Sequence, residues 1–186
     1  MKREIRVIGI DDAPFDKFKD KEVLVVGTIF RGGDWLDGVL STKARVDGNN
    51  STSQLIKMIN KCKFKPQLQA IILDGIALAG FNIIDINKLN KKTKLPVIVV
   101  IRKMPDFAKI QSALKKMKKI HEYKLIEKAG EVTKVGKIYV QLAGISLENA
   151  KKVLKITCTR SLLPEPIRAA HLIGAGIVKG ESKGDA

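Results

Sequence analysis

The chain has 186 residues, a length that one hydrophobic core can serve. Hydrophobic residues make up 45% and charged residues 29%, and no window approaches the roughly 18 apolar residues of a membrane-spanning helix, which excludes a membrane protein of helical type. Lys and Arg number 35 against 19 Asp and Glu, a net charge of +16, and such a field favours polyanions because each phosphate contact releases condensed counterions. A lysine-rich solvated surface is the competing reading of the same number. The opening Met-Lys-Arg-Glu-Ile-Arg leads into no signal-peptide core, so the expected location is the cytoplasm. Cys62 and Cys158 lie far apart without metal-binding spacing and read as packed thiols rather than a zinc site or a disulfide.

In chain order, Glu4 to Ile10, Glu22 to Phe30 and Trp35 to Ala44 read as three antiparallel strands, the last following a Gly32-Gly33-Asp34 turn. Ser51-Thr52-Ser53-Gln54 matches a capping box, and Leu55, Ile56, Ile59 and Cys62 follow at helical spacing. Leu68 to Leu73 is a short apolar strand ending in Asp74-Gly75; Phe81 to Leu89 carries a helical stripe; Val97 to Ile101 is a buried strand after Pro96. Phe107, Ile110, Leu114 and Met117 mark a helix whose other positions, Lys109, Lys115, Lys116, Lys118 and Lys119, are basic, with His121 at its end. Tyr123 to Ile126 and Lys137 to Ala143 suggest a strand pair around Gly130. Ser146 caps a helix to about Cys158, and Pro164 to Pro166 opens a last one reaching Val178.

This order predicts a single α/β domain over residues 1–186 of ribonuclease H-like type, a mixed sheet with helices on both faces and a tail from Gly180 to Ala186. The first strand then lies centrally, beside the fourth. Three acids stand where strands stop or turn: Asp11 after Val7-Ile8-Gly9-Ile10, Asp74 after Ile71-Ile72-Leu73, and Asp47 before the first helix. Taken singly, Asp47-Gly48 and Asp74-Gly75 are ordinary turn dipeptides. Taken together they suit hard divalent cations and phosphodiester hydrolysis. Asp12 adds charge but alternates to the other face of its strand.

Ile8-Gly9-Ile10-Asp11, Leu73-Asp74-Gly75, Leu95-Pro96-Val97-Ile98-Val99-Val100-Ile101-Arg102 and Leu163-Pro164-Glu165-Pro166-Ile167-Arg168-Ala169-Ala170-His171 resemble, in order, the main blocks of endonuclease V. Val46-Asp47-Gly48-Asn49 and Gly75-Ile76-Ala77-Leu78-Ala79-Gly80-Phe81-Asn82 resemble more closely the archaeal endonuclease dU family. The resemblance spans nearly the whole chain. It implies ligation of Mg²⁺ or Mn²⁺ by Asp11, Asp47 and Asp74, a catalytic cation at Arg102 where endonuclease V has lysine, and site positions for Arg168 and His171, which stand three residues apart on one helix. It departs in three places: Asp47 stands for a longer glutamate, no histidine follows Asp74-Gly75, and no Pro-Tyr-Ile-Pro strand-separating wedge precedes Asp47. Arg102 also brings a planar fork of different reach from a lysine.

Two functions follow. One is a metal-dependent endonuclease acting on DNA or RNA, with deoxyuridine suggested by the nearer family, Arg102 or Lys103 stabilising developing charge and Phe15, Trp35 or Phe81 available to stack on a base. The other is a binding module that has kept the fold without cleavage; a phosphoesterase for small nucleotides would have no use for so much basic surface. No Gly-rich phosphate loop or nucleophile elbow is present. The charge itself makes a prediction: affinity for nucleic acid should fall steeply with salt, log K declining linearly with log salt concentration. A flat titration would assign the lysines to solvation.

Overall fold

The computed structural model describes residues 4–183. β1 (Arg6–Asp12), β2 (Glu22–Arg31) and β3 (Trp35–Arg45) form an antiparallel meander. β4 (Ala70–Asp74) then returns parallel to β1, so the central pair is β1 and β4 as the sequence order requires. A small hairpin of β5 (Ala77–Leu78) and β6 (Asn82–Ile83) follows, and β7 (Val97–Ile101) adds parallel to β4. β8 (Thr133–Val135) and β9 (Ile138–Ala143) complete a seven-stranded sheet of order β3-β2-β1-β4-β7-β9-β8. This is a ribonuclease H-like mixed sheet.

The three central strands are continuous Val and Ile runs because both their faces are covered. On one face Ile8, Ile10, Ile71, Leu73, Val97 and Val99 pack with Leu55 and Ile59 of α1 (Ser51–Lys61) and Leu89 of α2 (Ile86–Thr93). On the other, Val7, Ile72, Ile98 and Val100 meet Val153 of α5 (Leu147–Thr157) and Ile167 of α6 (Glu165–Lys179). Between these helices in sequence, α3 (Phe107–Lys116) and α4 (Tyr123–Lys128) enclose a satellite cluster of Ile83, Leu114 and Ile126. Cys62 is buried and Cys158 half-buried, both as free thiols; burial pushes the Cys158 thiol up to about 11, which leaves it unreactive.

Several expectations are corrected. Tyr123 to Ile126 is helical, not a strand: the partner of β9 is Thr133–Val135, and the hairpin turns at Gly136 (φ +62°) rather than Gly130. The helix read from Phe81 begins at Ile86, where Asp85 caps it by accepting the Lys88 N–H at 2.8 Å. Ser51 does not cap α1. It is the helix's first residue, its Oγ is buried without a partner, and Asn82 Oδ1 accepts its N–H at 2.9 Å. α3 stops at Lys116, and Lys118 turns the chain with φ +57°, which takes Lys119 and His121 off the basic helix. Gly180 ends α6 in a left-handed conformation (φ +81°); of the tail expected from Gly180 to Ala186, residues 184–186 lie outside the described residues.

One close approach positions the last helix. Gly9 in β1 lies directly under Pro166, and a Cβ at Gly9 would collide with Pro166 and the Ile167 nitrogen. Two turns later, a Cβ on Gly174 would stand 3.1 Å from Ala13, and Thr28 donates its hydroxyl to the Pro166 carbonyl. Gly9→Ala should therefore lower unfolding stability by about 1–3 kcal/mol in denaturant titrations, the usual cost of overpacking. A variant as stable as the parent would show that α6 can lift at no cost.

Candidate active site

Strand parity assembles the site. In β1, Val7 faces α6, so Gly9 and Asp11 face it too; in β4, Ile72 does, and Asp74 follows; in β7, Val100 does, and Arg102 follows. Because β1, β4 and β7 run parallel, with Ile10 beside Leu73 and Asp74 beside Val100, all three polar residues emerge at one sheet edge. α6 brings His171 onto this edge from above, its Nδ1 2.9 Å from Asp11 Oδ2. Arg102 reaches back to Asp74, Nη2 to Oδ2 at 2.8 Å. The result is an open cleft of about 460 Å³ lined by Asp11, Asp12, Asp74, Arg102, His171 and the Ala13–Phe15 segment. It lies at the carboxyl ends of parallel strands, where open α/β sheets place their ligand sites.

The cleft concentrates negative charge in a dry place. Asp11 is 6% exposed, and burial, reinforced by Asp74 and Asp12, pushes its carboxyl up to about 8. Burial also raises Asp12, whose Oδ2 accepts the Ala79 N–H at 2.9 Å. Asp12 thus points away from Asp11 along the strand, yet still borders the cleft. Crowded carboxylates of this kind are relieved by protons or by a hard cation, and an oxygen-rich donor set suits Mg²⁺ or Mn²⁺. Among the described residues no three His, Cys, Asp or Glu side chains are arranged to enclose an ion.

Asp47 is placed beside this cleft and not on its lining. It sits at φ +48°; its Oδ1 accepts the Phe81 N–H at 2.8 Å and its Oδ2 is 3.6 Å from Lys17 Nζ. Gly80 is required there twice over, by its own φ of +84° and because a Cβ would strike the Asp47 carboxylate. Lys119 fastens the same turn, donating to the carbonyls of Asp47 (2.7 Å), Gly48 (2.7 Å) and Phe81 (3.1 Å). No sequence pattern marks Lys119 out from its basic neighbours. Arg168 is engaged with Glu165, Nε to Oε2 at 2.8 Å, within the first turn of α6, whereas His171 one turn on enters the cleft. Lys103 is exposed beside Arg102. Phe15 lines the cleft and Phe81 lies beneath the Lys17 ammonium at 5.7 Å, but Trp35 opens β3 opposite Arg31, at the far end of the sheet.

A family model described as endonuclease dU matches residues 3–178. The chain belongs to the endonuclease dU family. A UPF0215 protein of Methanothermobacter thermautotrophicus is 48% identical over 193 aligned residues, covering 100% of this chain and 94% of its own length. A crystal structure of an Archaeoglobus fulgidus protein superposes with a TM-score of 0.87 at 38% identity, covering 93% of this chain and 98% of that one. Endonuclease V from Bacillus subtilis (TM-score 0.62, 11% identity, 95% and 81% covered) shares the fold. So does Ciona intestinalis endonuclease V in complex with inosine-containing DNA (TM-score 0.55, 20% identity, 90% and 82% covered). This member of the endonuclease dU family thus shares the fold of endonuclease V.

The buried acid of this family member gives a pH prediction. Asp11 titrates at about 8 when folded against an ordinary 3.8, so the folded state holds a proton that the unfolded chain releases. Without metal, this group's contribution should favour folding at acid pH and weaken as pH rises from about 4 to about 8. Asp11→Asn removes the titration, so in EDTA its melting temperature should gain on the parent as pH rises from 5 to 8. A melting difference that does not change with pH would show that Asp11 stays ionised throughout.

Proposed function

We propose that the protein is a metal-dependent endonuclease that hydrolyses phosphodiester bonds in nucleic acid. The observation carrying this reading is the convergence of Asp11 and Asp74 on one face of adjacent parallel strands, with His171 and Arg102 against them. Asp11 and Asp74 would hold Mg²⁺ or Mn²⁺, with Asp12 and Asp47 behind them. When bound, the ion supplies a positive charge that acidifies water and offsets charge gathering on the phosphodiester.

The chain's own groups do the rest. Asp11 fixes the imidazole of His171 through Nδ1, leaving Nε2 to hold or pass a proton. Arg102 spends one guanidinium nitrogen on Asp74, and its remaining donors can take phosphate oxygens. Arg168, paired with Glu165, would hold the start of α6 and so the height of His171. Deoxyuridine in DNA, or another modified base, is the target that the family's description suggests, and endonuclease V structures in complex with inosine-containing DNA support a base-directed substrate. A base to be inspected must usually leave the stack.

A non-cleaving binding module is the second reading, and one observation favours it: Arg102 occupies an oxygen of Asp74 while both Asp47 oxygens are engaged. Labelled single- and double-stranded oligonucleotides carrying uracil, hypoxanthine or no lesion, incubated with Mg²⁺, Mn²⁺ or EDTA, separate the two. Metal-dependent cutting is expected, with Asp11→Asn and Asp74→Asn each losing more than the 10- to 100-fold that removal of an outer partner costs (about 10–100 in general). Asp47→Asn keeps an acceptor for the Phe81 N–H and should cut nearly as the parent if Asp47 is a wall, but fail like Asp11→Asn if it is a ligand. Oligonucleotides bound but uncut under every metal would establish the binding module.

A further inference from the structure

Of the six phenylalanines, five are buried or half-buried, and Phe18 alone is exposed, at 94%. It stands on the connection between β1 and β2, which leaves the sheet at the cleft edge. The segment is not loose. Asp16 accepts the Phe18 N–H through Oδ1 at 2.9 Å, its own N–H goes to Asp20 Oδ2 at 2.8 Å, and its carbonyl accepts from Asp20 at 2.9 Å and Lys19 at 3.2 Å. On the cleft side it is tied down by Lys17, whose ammonium lies over Phe81 and beside Asp47. A turn bonded in this way holds an apolar ring in water, at a cost in solvation that a polar residue would not incur.

We propose that Phe18 is a base-stacking residue for single-stranded or unpaired nucleic acid entering the cleft, an inference that rests on the function proposed above. Phe15 lines the cleft, and Phe18 follows three residues later, at most about 10 Å of chain away. That is roughly three stacked base steps at 3.4 Å each. The ring's neighbours in sequence are exposed and charged: Asp16, Lys17, Lys19, Asp20 and Lys21. A protein partner would call for contiguous apolar surface, which this loop lacks. A lone aromatic between alternating lysines matches the two needs of a polynucleotide strand, a flat face for a base and cations for the flanking phosphates. Stacking also tolerates any base, so Phe18 would hold the strand without choosing the lesion.

The test is fluorescence anisotropy of a labelled single-stranded oligothymidylate in EDTA, with the whole chain. Phe18→Ala should weaken binding by about 10-fold or more, the loss typical of one stacked base. Phe18→Leu should not restore it. Phe18→Trp in a Trp35→Phe background should bind as the parent and have its emission quenched by the strand. The dependence of affinity on salt should be the same in all four, because no phosphate contact is removed, and melting temperatures should not move. Parent-like affinity of Phe18→Ala overturns the stacking role and leaves the nuclease reading intact. A parent that binds no oligothymidylate overturns the stacking role, and the metal-dependent cleavage assay above then decides the nuclease reading by itself. Loss of a self-associated species in Phe18→Ala, seen by sedimentation, would assign the ring to a second copy of the chain and overturn the proposal.

Discussion

The contact between Pro166 and Gly9 contains no side chain on the strand, and the geometry of the cleft depends on it. α6 and β1 run in the same direction, with Pro166 over Gly9 at one end and Gly174 over Ala13 at the other. Eight helical residues rise about 12 Å and four strand residues about 13 Å, so the two elements stay in step. His171 stands five residues past Pro166, about 7.5 Å along the helix, and Asp11 two residues past Gly9, about 6.6 Å along the strand. Their meeting at 2.9 Å follows from that shared pace. Any side chain at Gly9 would raise the helix where the imidazole must descend.

What the packing delivers is electrostatically unfavourable. Asp11 is placed under a helix, beside two further carboxylates, where its ionised form is poorly solvated. The surrounding sheet, buried on both faces, stabilises the fold enough to tolerate this, and proteins commonly lose stability at sites where charge must be concentrated. The same logic explains Asp47. Its left-handed backbone and the neighbouring turn of Ala79 (φ +49°) and Gly80 are strained conformations held by many bonds at once: two carbonyls given to Lys119, a carboxylate given to Phe81, and the amide of Asp47 given to Ala79. This turn in turn presents the Ala79 N–H to Asp12. The turn beside the cleft is thus held by many hydrogen bonds although it is almost all loop.

The sheet was legible because its strands are long apolar runs, and because a fourth strand returning beside the first places Asp11 next to Asp74 by topology alone. Arg102 came instead from the resemblance to endonuclease V, as the residue in place of that family's lysine after the Pro-initiated run, and β7 places it beside Asp74. Local signals served less well where tertiary contacts compete. Ser51-Thr-Ser-Gln54 has the letters of a capping box, but Asn82, from a hairpin 31 residues away, takes the Ser51 N–H instead. Tyr123 to Lys128 is only six residues, too short for a helical period to separate from alternation. Arg168 differs: a local ion pair with Glu165, which its place near the start of the helix already suggests, holds it in the first turn of α6 while His171 reaches the cleft. Lys119 and Phe18 were beyond sequence reading altogether: one is a lysine among lysines that happens to meet three carbonyls, the other a phenylalanine that a locked turn keeps out of the core.

These assignments change what the net charge of +16 means. Lys119 is spent inside the structure, Arg168 on Glu165, Lys128 on Asp85 at 2.7 Å, and Arg6 and Arg31 both on Asp37. Cations held in this way offer little to a phosphate. The cations on the cleft and its margin are few: Arg102 in the lining, with Lys17 nearby already paired to Asp47, and Lys179 and Lys183 along a groove that shares Pro14 and His171 with the cleft. Glu181 lies among the latter pair and reduces their field. The slope of affinity against salt counts neutralised phosphates, so it reports this small set and not the composition. A chain can therefore be strongly basic overall and still leave only a small share of its cations free to meet a polyanion at one cleft.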